Sequence, residues 1–383
     1  TEDLFPANIP YVIPVMGQNN AERPFIDAAF AALAAMRPET RALLTRTGLL
    51  MPTLSMLFRA SQRTVASPAD YLTGIAHPPV FQPARLDTAR LVRMAHALTT
   101  NSIPPLVILE VLSETGTVPG RDFFDIPSSE NLFDSPLAIA RVFRGTPYTR
   151  TLELAARCKT PHDRIHWRLL QGDPSRVTFT PNPTNSAHMT LTVAHHATPF
   201  ETPAGNGKTL RTSRVDIGVI AQTGENFSLP SVISFVFLGN ERRVYDRDGK
   251  ILSVDYTRQP RGYIDPLMTV TRNWKDTYRY DIQGNQIGWD RTRGLNTERF
   301  TAFGHLVVSA DARGRATVAH LIRYVPRQIK ISDSEQGLPD LAQLDDNLAV
   351  AYRYADDADL VGQPDLSRVT QETQPPEQAA AAP

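Results

Sequence analysis

Apolar side chains recur at helical spacing through roughly the first 145 residues, and at a spacing of two thereafter. "FIDAAFAALAAM" (Phe25 to Met36) predicts a buried helix, and "PETRALLTRTG" a second one that stops at Gly48. Ser67-Pro68 supplies a capping hydroxyl and a first-turn proline, predicting a helix in "SPADYLTGIA". In "RLDTARLVRMAHALTT" an apolar face is built by Leu86, Ala89, Leu91, Val92, Ala95 and Leu98, with His96 beside it as a hydrogen-bonded boundary residue. "PPLVILEVL" (Pro104 to Leu112) is apolar on both parities, as a covered strand requires. Ser135-Pro136 repeats the cap-and-proline signal, and "LAIARVFRG" is expected to be helical.

In "RIHWRLLQG", Ile165, Trp167 and Leu169 share one parity; in "HMTLTVAHH", Met189, Leu191 and Val193 do; in "RVDIGVIAQTG", Val215, Ile217 and Val219 do. Strands at such short intervals, separated by Gly, Pro and Asn, predict an antiparallel sandwich. "SVISFVFLG" is apolar on both faces: Ile233, Phe235 and Phe237 on one, Val232, Val236 and Leu238 on the other. Another part of the chain, or a partner, is therefore expected to cover its second face.

"LELAARCKTPHDRIHWRLLQGDPSRVTFTPN", "MTLTVAHH" and "RVDIGVIAQTGENFSLPSVISFVF" together resemble the PKD type of immunoglobulin-like domain over residues 148 to 239, with Trp167 in the place of that pattern's central-strand tryptophan. The whole chain also resembles a group of uncharacterised exported bacterial proteins that carry such a module behind a helical front. The resemblance implies architecture and export, and no activity.

Beyond Asn240 an aromatic strand, a glycine corner and a second strand recur. The corners are Tyr245-Asp246-Arg247-Asp248-Gly249-Lys250 and Tyr280-Asp281-Ile282-Gln283-Gly284-Asn285, then more loosely Phe300-Thr301-Ala302-Phe303-Gly304-His305 and "SADARGRATV" around Gly314. Aspartate before such a corner accepts hydrogen bonds from backbone N–H groups two residues on, and glycine supplies the positive φ that closes it. No ligand is needed; a Ca²⁺ reading of Asp246 and Asp248 lacks further oxygen donors at regular offsets. The hairpins resemble the YD-type repeats of large bacterial surface and toxin-shell proteins, whose corners stack strands into an extended sheet.

Composition narrows the function classes. Lys and Arg match Asp and Glu at 40 each, so no global field draws the chain to nucleic acid. One cysteine excludes a disulfide framework, a Cys-rich zinc site and an iron–sulfur cluster, and no cofactor is expected. No apolar run reaches the roughly 18 residues of a membrane span. With 31 prolines the chain favours turns and extended segments. The sequence starts at Thr1 without Met, from which export to the periplasm, the cell surface or the medium is expected.

Candidate chemistry is sparse. "PAGNGKTLR" has Thr202 where a phosphate-binding loop needs its first glycine, and reads as a hairpin loop. The acids Asp122, Asp125, Glu130 and Asp134 read as solvated turns, and Cys158, between Arg157 and Lys159, as a structural thiol. Outward parity could gather His166, His188 and His196 into a Zn²⁺ or Cu²⁺ site if their strands were neighbours; no metal site is assigned. The strongest binding candidate is the stripe Trp274, Asp276, Tyr278 and Tyr280 with Trp289, either a flat platform for glycan rings or a partner, or the inward face of the sheet.

The expected fold is α+β: a mainly helical domain (1–145), an Ig-like, PKD-like β-sandwich (146–240), an antiparallel hairpin region (241–330) and an irregular tail (331–383). The expected function is that of a non-catalytic exported scaffold or accessory subunit of a cell-envelope or extracellular assembly. It would bind a protein partner or a glycan through broad apolar or aromatic surfaces, with association to a membrane complex left open. The alternative is a polysaccharide-acting hydrolase with paired carboxylates in an interdomain cleft.

Overall fold

The computed structural model describes residues 23–371 except 79–80, 116–130, 144–148, 159–160, 186, 198, 204–208, 240, 258–271, 328–329, 333–334 and 337–339. The fold is α+β with mostly antiparallel sheets, and the described residues fall into two compact units, up to Phe237 and from Leu238 onward. Among the described residues no helix is long and apolar enough to cross a membrane.

Local signals set the helix ends in the first unit. Helix α1 (Arg23–Ala35) buries Phe25, Ala28 and Ala32. Helix α2 (Pro38–Thr47) stops where Gly48 takes φ 74° and Leu49 N–H reaches back to the Leu44 carbonyl. Helix α3 (Leu50–Ala60) follows at once. Ser67 caps as expected, forming a capping box with Asp70, but α4 is one turn, Pro68–Tyr71. The longer helix foreseen in "SPADYLTGIA" gives way to turns from Leu72 on, and Gly74 there lies against the Leu170 carbonyl, where any Cβ would collide. Asp87 accepts from Arg90 N–H (2.8 Å) at the start of α5 (Thr88–Ala97), which buries Leu91 and Ala95. His96 is a boundary residue whose Nδ1–H donates to the Ala35 carbonyl at 3.2 Å.

Twelve strands of this unit follow in order: β1 (Val107–Thr115), β2 (Asn131–Ser135), β3 (Ala138–Phe143), β4 (Arg150–Cys158), β5 (Arg164–Gln171), β6 (Val177–Pro181), β7 (His188–Val193), β8 (Phe200–Pro203), β9 (Thr209–Thr212), β10 (Arg214–Thr223), β11 (Asn226–Phe227) and β12 (Ser231–Phe237). One sheet runs β1-β4-β7-β6; another runs β11-β10-β12-β3-β2, with β5 also on β10. Strands β8 and β9 pair as a hairpin, so "PAGNGKTLR" joins two strands, its loop lying outside the described residues.

Leu152, Leu154, Leu191 and Val193 of the first sheet meet Ile217, Val219, Ile233 and Phe235 of the second in one core. Trp167 belongs to this core but sits on β5, at the sheet margin rather than on a central strand. Every residue of β12 is buried. The helices cover the second face of its sheet, where Ile220, Phe227 and Leu229 join their cluster and Tyr71 Oη donates to the Ser228 carbonyl at 2.9 Å.

The segment "LAIARVFRG", expected as a helix, contains strand β3 instead. Ser135 does cap the backbone, accepting from Ala138 N–H at 3.1 Å, but the cap closes a β2–β3 turn. The run that follows is apolar apart from Arg141 and pairs in parallel with β12, the one parallel ladder among the described strands. The helical region and the sandwich thus share one compact unit, to which strands within 1–145 contribute.

The second unit is built on β13 (Arg242–Tyr245), β14 (Ile251–Asp255), β15 (Lys275–Tyr280), β16 (Gln286–Arg293), β17 (Asn296–Thr301), β18 (Leu306–Ala310) and β19 (Ala316–Arg327). A small hairpin of β20 (Lys330–Ser332) and β21 (Glu335–Gln336) leads to β22 (Asp340–Arg353), β23 (Gln363–Pro364) and β24 (Thr370–Gln371). The sheet is an antiparallel path of nine, β13-β14-β15-β16-β17-β18-β19-β22-β23, with β24 also on β22. The tail expected to be irregular from 331 on thus contains the 14-residue β22. Its alternation is broken at Asp345-Asp346-Asn347, where Asn347 takes φ 54° and the register with β19 shifts. The last stretch of the expected tail, 372–383, lies outside the described residues.

Four corners share one geometry. In each, the first residue's N–H bonds the carbonyl four residues on (2.9–3.0 Å), and the glycine N–H returns to the first carbonyl (2.9–3.3 Å) at Asp246–Gly249, Asp281–Gly284, Thr301–Gly304 and Asp311–Gly314. The glycines have φ between 77° and 86°. Asp246 Oδ1 accepts from the N–H of Asp248 and Lys250, and Asp311 Oδ1 from those of Arg313 and Arg315. The carboxylates are occupied by backbone, as the turn chemistry requires. Thr301 does the same with its hydroxyl, accepting from Phe303 and His305 N–H.

Candidate functional site

The stripe picked out by alternation points inward. Trp274, Tyr278 and Trp289 are buried in one cluster with Ile251, Val254 and Phe300, and Asp276 is completely buried beside them. These side chains are therefore not a flat surface for glycan rings. The reason is curvature: the sheet bends until β19 and β22 cover the aromatic face, bringing Ile322, Tyr324 and Leu341 into the cluster. Tyr280, after a register shift in β15, is only half-buried and donates its hydroxyl to the Ile251 carbonyl at 2.6 Å.

Arg291 is the centre of that interior. Its Nε and Nη2 donate to Asp276 Oδ1 and Oδ2 at 2.7 and 2.8 Å, and Nη1 donates to Tyr324 Oη (2.7 Å) and Gln343 Oε1 (2.8 Å). The guanidinium carbon sits 4.3 Å from the Trp274 ring centroid and 4.7 Å from that of Phe300. Burial pulls its pKa down, but the bonds and charge of Asp276 outweigh burial and hold it above the ordinary arginine value. A flat sheet would keep β16 and β22 about 19 Å apart, four strand spacings. The Arg291–Gln343 bond is thus a clasp across the curl.

On the opposite face of β15–β17 lies a cleft of about 460 Å³, open mouth included. Its charged lining is wholly basic: Arg279, Arg299, Arg313 and Arg315, with Tyr354 and the aliphatic Val307 and Val361 beside them. Arg279 and Arg299 share one carboxylate oxygen, Asp290 Oδ1, at 3.4 and 3.3 Å from their Nε atoms. Gly288 (φ 143°) makes room for Arg279: a Cβ there would strike the Phe300 carbonyl and stand 3.0 Å from Arg279 Nη2. Burial, and then the charge of Arg299 set against that of Asp290, leaves the Arg279 pKa below its ordinary value. Arg315 is anchored by Asp311 (2.8 Å) and stacked 4.4 Å from the Tyr354 ring centroid; Arg313 is paired with Asp357 (2.8 Å). Alternation around Asp276 leaves Arg279 on the outward parity, and the corner at Asp311 places Arg313 and Arg315. What the sequence does not display is that these segments meet.

The remaining candidates are dispersed. His166 lies on β5 and His188 on β7, in different sheets. His166 is buried with its Nε2–H on Gln222 Oε1 (2.8 Å), and His196 is buried with Nε2 accepting from Asp173 N–H (3.1 Å). Their expected outward orientation fails because Phe227 of β11 packs on His166 and the Phe200–Phe237 pair on His196. Among the described residues no three His, Cys, Asp or Glu side chains group as metal ligands. Burial pushes the Cys158 thiol up to about 11, which suits a structural residue rather than a nucleophile. The acids Asp122, Asp125 and Glu130 lie outside the described residues, and Asp134 pairs with Arg141 at 3.1 Å. Compared with protein families, with curated proteins and with solved structures, the chain matches none.

Proposed function

We propose that the protein is a non-catalytic scaffold or accessory subunit of an exported assembly, in the cell envelope or outside the cell, and that it binds a protein partner. The observation carrying this reading is that, among the described residues, the side chains singled out as chemical candidates are spent on structure. Asp276 is locked to Arg291, the corner aspartates hold backbone amides, Cys158 is a half-buried thiol of raised pKa, and His166 and His196 serve their neighbours. Supporting a protein partner over a glycan, the rings of Trp274, Tyr278 and Trp289 are interior while aliphatic residues occupy hairpin tips: Ile282 is 97% exposed and Leu295, beside Gly294 in the β16–β17 turn, is fully exposed. Exposed apolar turn residues are the usual raw material of protein contacts.

The test is native purification from a producing organism, with fractionation of cytoplasm, envelope and medium. The expected result is a complex larger than the monomer in the envelope or medium, dissociated by Ile282→Asp or Leu295→Asp. A cytoplasmic monomer that hydrolyses a polysaccharide overturns the reading.

A further inference from the structure

We propose that the cleft lined by Arg279, Arg299, Arg313 and Arg315 is a binding site for an oxyanion: the phosphate, sulfate or carboxylate group of a small ligand or saccharide. The inference stands apart from the scaffold reading.

The charge account favours an anion. Four guanidiniums face the cleft, and none of its lining residues is acidic. Carboxylates hold the arginines from behind: Asp311 for Arg315, with the charge of Asp359 also beside it, Asp357 for Arg313, and Asp290 for both Arg279 and Arg299. The excess of positive charge is local, at the point where two guanidiniums meet a single oxygen of Asp290. Among the described residues, the terminal nitrogens of Arg299 have no hydrogen-bond partner, and neither does Nη1 of Arg279. An oxyanion between them would take up these idle N–H groups in charge-assisted bonds and relieve the repulsion between the two cations.

The site is also held in place. Arg315 is fixed by Asp311 and by the carbonyls of Asp356 (3.0 Å) and Asp359 (3.3 Å), while Arg313 Nη1 and Nη2 engage the carbonyl and carboxylate of Asp357 at 2.9 and 2.8 Å. Gly288 keeps the space through which Arg279 reaches the Phe300 carbonyl at 3.4 Å. A site whose donors are oriented beforehand loses less ordering entropy on binding. Val307, Val361 and the Tyr354 ring give the rest of the ligand an apolar wall.

The experiment is calorimetric titration of the full chain with sodium sulfate, sodium phosphate and sodium glucuronate, at ionic strength held constant with chloride so that screening does not change. Saturable one-to-one binding of at least one probe is expected, weakened about tenfold or more by Arg299→Gln and by Arg279→Gln. Arg323→Gln, an exposed arginine paired with Asp346 outside the cleft, should leave it unchanged. Glucuronate binding alone would point to an acidic sugar, sulfate or phosphate alone to a tetrahedral anion. Arg299 is half-exposed, and an unaltered melting temperature in chloride would certify the fold of its variant. Should Arg279→Gln unfold, Arg299→Gln with a selenate anomalous map is the second readout, with the peak lost from the cleft. No binding by any probe, or equal binding by wild type and Arg299→Gln, overturns the proposal.

Discussion

Arg291 and Asp276 meet as a two-pronged ion pair with no solvent exposure on either side chain. Such a pair is costly to assemble and costlier to halve, because a lone buried charge has lost its water and its partner. Asp276→Ala is therefore expected to destabilise the second unit by about 3–5 kcal/mol, read as a shift of its urea midpoint. The double change Asp276→Leu with Arg291→Met should cost much less. Equal losses for the single and double variants would show that the pair's geometry, rather than its charge balance, is what matters.

The corners are expected to behave as backbone devices. Gly249→Ala places a Cβ at φ 80° and should cost about 1–2 kcal/mol. Asp246→Ala removes the acceptor of two amides and should cost about as much as losing a helix cap, roughly 1 kcal/mol. Neither Ca²⁺ nor a chelator should move the melting temperature of the wild type; a calcium-dependent rise would assign Asp246 and Asp248 to a cation.

Acid should weaken the first unit before any carboxylate titrates. His77 is buried, its Nε2–H donating to the Tyr71 carbonyl (2.6 Å) while Nδ1 faces Arg59 Nη1 (3.5 Å). Burial first, and then the charge of Arg59, push its pKa down to about 3 from 6.5. Above pH 6.5 the imidazole is neutral in both states and its full contribution is present. Below it the unfolded chain takes a proton that the folded chain refuses, so stability falls from pH 6.5 toward pH 3. The slope for this one group is at most about 1.4 kcal/mol per unit. His166 and His196 are shifted downward too, chiefly by burial. Urea midpoints at pH 7.5, 6 and 5 should fall in that order, and His77→Gln should flatten the trend by about one proton; an unchanged slope would place His77 in water.

Gly74 marks where the helical layer touches strand backbone. A methyl group there meets the Leu170 carbonyl, which cannot swing away as a side chain could. Gly74→Ala is expected to cost about 1–3 kcal/mol, the range of overpacked cores, and to lower the melting temperature of the first unit. No shift would mean that the segment slides freely.

What the sequence displayed and what it hid divide by range. The corner at Asp281 was legible because its donors, acceptors and glycine lie within five residues. Strand β12 announced its covering through apolar residues on both parities. Strand β3 was hidden, since Ser135-Pro136 is a sound local start for a helix and only the distant β12 makes the next residues extended. Strand β22 was hidden by its acidic bulge. The inward turn of Trp274 and Trp289 depends on a curl closed by Tyr324 and Gln343, from strands far along the chain. The basic cleft was half visible: parity sets Arg279 on the outer face and the corner sets Arg315, but their meeting with Arg299 follows from the sheet.

The parallel ladder between β3 and β12 bears on how the protein is made. As the chain leaves the ribosome, Ile139 and Phe143 emerge long before Ile233 and Phe235 exist to cover them. Tyr71 likewise waits for Ser228, 157 positions later. The core of the first unit is therefore completed only when β12 has been made. Until its twelfth strand is synthesised, the nascent polypeptide carries apolar side chains whose ladder partners do not yet exist.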